Sequence, residues 1–111
     1  MKMEKFPVIA GRIRRIPKGF GWVDHRLVQD GHLRECSTDA AALYLVLVTV
    51  ADQDGLSYYG ESLLCTMLGW SRIRLEKARK NLEEADLAAW SDPIYQVLEF
   101  AEKGGFKHDK S

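Results

Sequence analysis

The sequence predicts a mainly α fold with a small β-hairpin, an α+β class, and three observations carry that prediction. A long aliphatic run, "AAALYLVLVTVA" from Ala40 to Ala51, starts with capping residues. Two further segments with helical spacing meet at Gly69. After Leu87 the apolar period changes from helical to two. A chain of 111 residues is about one domain.

Bulk properties exclude several classes. Sixteen basic residues balance sixteen acidic ones, so affinity for a polyanion has to come from local clustering rather than a global field. The longest apolar run falls short of the roughly 18 residues that a membrane span requires. Cys36 and Cys65 lie far apart with no C-x-x-C, and "MKMEKFPVIAGRIRR" is charged and broken by Pro7, unlike a signal peptide. Free thiols and a cytoplasmic location are expected.

From the N-terminus, residues 1–23 read as a basic extended arm with room for a short strand, because Pro7, Gly11, Pro17 and Gly19 leave no helical period. Arg12, Arg14, Arg15 and Lys18 are four cations in a stretch, residues 8–23, that contains no acid. They either hold a polyanion or decorate a solvated tail. "WVDHRLVQDGHLREC" suggests a short helical turn ended by Gly31.

"STDAAALYLVLVTVADQDG" reads as a helix capped by Ser37 or Thr38, with Asp39 in its first turn and Asp54-Gly55 as the stop. Apolar on nearly every side, it is expected to be central and packed all round. "LSYY", residues 56–59, has strand composition. "GESLLCTMLGW" offers two helical turns, with Gly60 as N-cap, Leu63, Leu64, Met67 and Leu68 as the buried face, and Gly69 in the left-handed terminating position. Ser71 caps the next helix at once, giving a helix-turn-helix. "LAAW", the turn "SDP" and "IYQVLEF" form a hairpin, and the polar, Gly-rich residues 101–111 read as a disordered tail. Residues 24–100 make the domain.

Helix, short strand, helix, turn, helix and hairpin is the order of a winged helix-turn-helix. The stretch "DAAALYLVLVTVADQDGLSYYGESLLCTMLGWSRIRLEKARKNLEEADLAAW" resembles the winged-helix domains of bacterial plasmid and phage replication initiators and related regulators, over roughly residues 37–100. The resemblance implies that residues 72–85 form the recognition helix, that Glu61 to Leu68 brace it, and that Ala88 to Phe100 form the wing. It departs from the pattern in three places. Asp86 replaces a glycine, Arg79 replaces a leucine, and the wing turn Ser91-Asp92-Pro93 is short and acidic.

The recognition helix carries its charges in reverse. A helix dipole favours acids in the first turn and cations in the last, by roughly 0.3–1 kcal/mol each. Here Arg72 and Arg74 open the helix while Glu83, Glu84 and Asp86 close it. Residues 71–80 hold five cations against Glu76, a local charge of plus four. A helix N-terminus also attracts phosphate through its free N–H groups. On a helical projection Leu75, Ala78 and Leu82 face inward with Arg79 at the margin, and Ile73, Lys77, Lys80, Asn81 and Glu84 face outward.

Two accounts remain open. In one, a salt-bridge-laced surface helix is stabilised by the i,i+4 pairs Arg72–Glu76, Glu76–Lys80, Arg79–Glu83 and Lys80–Glu84. That account leaves Arg74 without an acid at helical spacing, and Lys77 without one on its outward side. In the other, Ser71, Arg72, Ile73, Arg74, Lys77, Lys80 and Asn81 contact double-stranded DNA in the major groove while Arg12, Arg14, Arg15 and Lys18 hold the backbone or a minor groove. The alternative function is a winged-helix protein-interaction or dimerisation module, serving a homodimer or a replication or mobile-element complex. Trp22, Trp70 and Trp90 read as core or core-edge residues, and His25, His32 and His108 as surface residues. No metal-ligand spacing, cofactor loop or nucleophile with a base is present, so neither an enzyme nor a cofactor is expected.

Overall fold

The computed structural model describes residues 4–100 except Ile16 and Phe20. The expected tail, with His108, lies outside the described residues. Four α-helices are described: α1 (Arg26–Gln29), α2 (Thr38–Val50), α3 (Glu61–Leu68) and α4 (Arg72–Glu84). Three short strands, β1 (Leu56–Ser57), β2 (Ala88–Ser91) and β3 (Ile94–Val97), form an antiparallel sheet in the order β1-β3-β2. This α+β arrangement is compatible with a winged-helix-like fold.

Local chemistry sets the element ends. Ser37 caps α2 by accepting from the Ala40 N–H at 3.1 Å, and Ser71 caps α4 by accepting from the Arg74 N–H at 3.2 Å. Gly69, at φ +71°, closes α3 in the left-handed region, its N–H donating to the Cys65 carbonyl at 2.8 Å. Asp86 does the same work after α4 at φ +63°, a conformation that Asp tolerates better than most residues.

The turn between α2 and β1 is equally specified. One carboxylate oxygen of Asp52 accepts from the N–H groups of Asp54 and Leu56, both at 2.9 Å. Gly55 sits at φ +83° and approaches β3 so closely that a Cβ there would lie 2.6 Å from the Val97 carbonyl oxygen. Only glycine fits without moving the backbone. The hairpin pairs Ala88 with Val97 and Ser91 with Ile94, and turns through a cis Asp92-Pro93 peptide.

The core joins Leu43, Tyr44 and Leu47 of α2 to Leu64 of α3, Leu75, Ala78 and Leu82 of α4, and Leu87, Ala88 and Tyr95 at the sheet. Burial of each large side chain contributes about 1.5–3 kcal/mol. The inward face of α4 is the one its periodicity predicts.

Other expectations need correction. Helix α2 is not enclosed: Leu45 and Thr49 form an exposed side, Leu45 being 60% exposed, because the helix packs on α4 and β3 and is uncovered opposite them. Helix α3 buries Leu64, with Cys65 and Leu68 packed beside it, but Leu63 and Met67 remain about half exposed. A two-turn helix leaning on α4 covers only a narrow stripe. The strand expected over residues 56–59 is two residues long, and the arm holds a 3-10 turn, Ala10–Arg12, rather than a strand among the described residues.

Two aromatic assignments also change. Trp22 is exposed, whereas Trp70 and Trp90 pack at the core edge. His32 is buried, its ring stacked on Phe100 at 4.3 Å, with no hydrogen-bond partner for Nε2 among the described residues.

Candidate nucleic-acid interface

Helix α4 has one face buried in the core, at Leu75, Ala78 and Leu82, and another exposed. Ile73 is 67% exposed at its first turn, and Lys77 and Lys80 follow on the same outward strip. Among the described residues neither lysine is recorded in an ion pair.

The arginines behave differently. Arg74 donates from Nε to Asp39 Oδ2 at 2.8 Å and from Nη2 to Asp39 Oδ1 at 2.9 Å, with its guanidinium 4.8 Å from the centroid of the Trp70 ring. The pair holds the Asp39 carboxyl below the usual carboxylate range. Arg72 Nε lies 3.1 Å from Glu61 Oε1 and 3.4 Å from Glu76 Oε2. Arg79, with a side chain only 11% exposed, donates from Nη1 to Glu61 Oε2 at 2.9 Å and to the Tyr95 hydroxyl at 3.1 Å. Its guanidinium lies 3.8 Å from the centroid of the Trp90 ring. Burial pushes the Tyr95 phenol up, and the Arg79 hydrogen bond pulls it partly back.

These contacts account for the arginines of the helix. Arg72, Arg74 and Arg79 tie α4 to α3, α2 and the sheet, so Asp39 and Glu61 compensate cations that appear unbalanced along the sequence. Of the four i,i+4 pairs expected, only Arg72–Glu76 is within ion-pair distance. Arg79 pairs with Glu61, not Glu83, and Arg74 is partnered by an acid that helical spacing cannot reveal. Lys77 and Lys80 are the cations of α4 that form no ion pair among the described residues.

Asn81 is also corrected. Its Oδ1 accepts from the Ser37 N–H at 2.8 Å, which turns it toward the start of α2 rather than outward. Ser37, Thr38 and Asp39 of that segment form one wall of a groove, and Lys77, Lys80, Asn81 and Glu84 form the other. Ser71 is occupied as the cap.

Arg12, Arg14, Arg15 and Lys18 are exposed. The elements that pack most extensively on α4 are α2, α3 and β2. Asp39, Glu61 and Trp70, absent from the expected site, position its arginines. Asp39 is visible in the sequence only as a favourable first-turn acid. The β2–β3 turn, Asp92-Pro93, is exposed and acidic. No cluster of His, Cys, Asp or Glu suited to a metal occurs among the described residues.

The fold is shared with a solved Rep-DNA complex. The two superpose with a TM-score of 0.55 at 18% identity, over 90% of this chain and 87% of the other. No family model and no curated protein matches the chain. Among the described residues, no helix is long and apolar enough to cross a membrane.

Proposed function

We propose that this chain binds double-stranded DNA as a winged helix-turn-helix protein, with α4 in the major groove. The observation that carries the reading is the outward strip of Ile73, Lys77 and Lys80 on the second helix of the motif, whose lysines form no ion pair among the described residues. Such a helix presents its N-terminal half to base edges and phosphates. The fold shared with a Rep-DNA complex supports this reading, as does the resemblance of residues 37–100 to replication-initiator domains. A role in bacterial plasmid or phage replication, or in transcription control, follows as the biological setting, in the cytoplasm and without catalysis. The arm's four cations are close enough in sequence to act together as a second, backbone-holding contact.

The test is fluorescence anisotropy of a labelled random-sequence duplex titrated at two salt concentrations. Binding at micromolar or tighter Kd that weakens steeply with salt is expected, and Lys77→Ala and Lys80→Ala each reduce the slope of log K against log salt by about 0.9 if each lysine neutralises one phosphate. Unchanged binding by both variants removes α4 from the interface.

A second reading, a protein-interaction or dimerisation module, is favoured by exposed Leu63, Met67 and Ile73 and by the zero net charge. Absence of duplex binding even at low salt selects it.

A further inference from the structure

We infer that Arg74 is a guanine-reading fork whose orientation is set by Asp39 and Trp70, an inference that rests on the DNA-binding reading above. Arg74 lies in the first turn of α4, where a helix entering the major groove meets base edges. Its side chain is about half exposed, yet it is held on two sides. Asp39 of α2 takes Nε and Nη2 along one edge, and the Trp70 ring lies against the guanidinium.

The opposite edge, formed by Nη1 and the remaining N–H of Nη2, makes no hydrogen bond among the described residues. Two parallel donors remain there in the spacing that guanine O6 and N7 accept in the major groove. A free arginine loses side-chain entropy when it is fixed in such a contact. Here that ordering is already present in the unbound protein. Asp39 also removes most of the net charge of the group, so Arg74 is poorly suited to a phosphate, which is selected by charge, and well suited to a base edge, which is selected by geometry. This divides the labour on α4: Lys77 and Lys80 neutralise phosphates, and Arg74 reads a base. Asp39 touches no DNA and acts as a positioning residue.

The experiment selects the full chain against duplexes with a randomised central segment and sequences the bound pool, for wild type, Arg74→Lys, Asp39→Ala and Asp39→Asn. Circular dichroism verifies the fold of each variant. Wild type is expected to enrich guanine at one position by about 5- to 150-fold, the equivalent of one bidentate contact. Arg74→Lys keeps the charge but replaces the planar fork with a single ammonium, so the guanine preference falls steeply. Both Asp39 variants also flatten that preference while binding the unselected pool as tightly as wild type or more so, since an acid has left the surface. If Asp39→Ala fails to fold, Asp39→Asn decides.

A guanine preference that is undiminished in Arg74→Lys, or in the folded Asp39 variants, overturns the inference. Wild-type binding with no base preference also overturns it and leaves DNA binding intact. Failure of wild type to bind any duplex removes both.

Discussion

Arg79 Nη1 and Glu61 Oε2 lie 2.9 Å apart and join α4 to α3 beside the sheet. The same Arg79 nitrogen reaches the Tyr95 hydroxyl, and the other Glu61 oxygen reaches Arg72. One carboxylate therefore fixes both the start and the middle of α4.

Arg79→Ala is expected to destabilise the protein by about 2–3 kcal/mol, because it removes a largely buried charge-assisted hydrogen bond and the stack on Trp90. Urea denaturation measures the effect. A change below about 0.5 kcal/mol, the usual range for surface substitutions, would assign Arg79 to the solvated exterior.

Asn81→Ala is expected to cost about 1 kcal/mol through loss of the acceptor for the Ser37 N–H. The base preferences of bound duplexes should not change. A variant of wild-type stability with altered base preference would return Asn81 to the role that helical projection suggests.

Acid should weaken the fold through Asp24 and Asp39. Hydrogen bonds from the Arg26 side chain and backbone hold the Asp24 carboxyl down to about 2, from 3.8, and Arg74 lowers Asp39 in the same way. A carboxyl whose folded pKa is depressed stabilises the fold above its unfolded pKa, and that contribution disappears as pH falls through the folded value. For Asp24 the window runs from about pH 4 down to about pH 2, and at neutral pH the contribution is fully present. Urea midpoints followed down the acid limb should fall less steeply for Asp24→Asn than for wild type. Identical limbs would count against the Asp24–Arg26 pair.

Features governed by neighbours along the chain were legible in the sequence. Ser37, Ser71, Gly69 and Asp86 fix element ends through contacts within a few residues, and the spacing of Leu75, Ala78 and Leu82 gives the inward face of α4. The partners of the site residues were not legible. Arg74 meets an acid 35 residues earlier and Asn81 meets a backbone 44 residues earlier, and a helical projection contains neither. The same limit explains Leu63 and Met67: apolar spacing identifies a face but not whether a neighbour is large enough to cover it. The burial of His32 is equally hidden from local pattern, because Phe100, which covers it, comes at the other end of the domain's sequence.

Phe100 also bears on where the chain can be trimmed. It meets both the His32 ring and the Arg26 guanidinium, three residues beyond the last strand. A truncation drawn at Val97 because regular structure ends there would strip the cover from a buried imidazole and loosen α1 from the body. A shortened version for crystallisation or labelling should retain residue 100 and place any fusion after it.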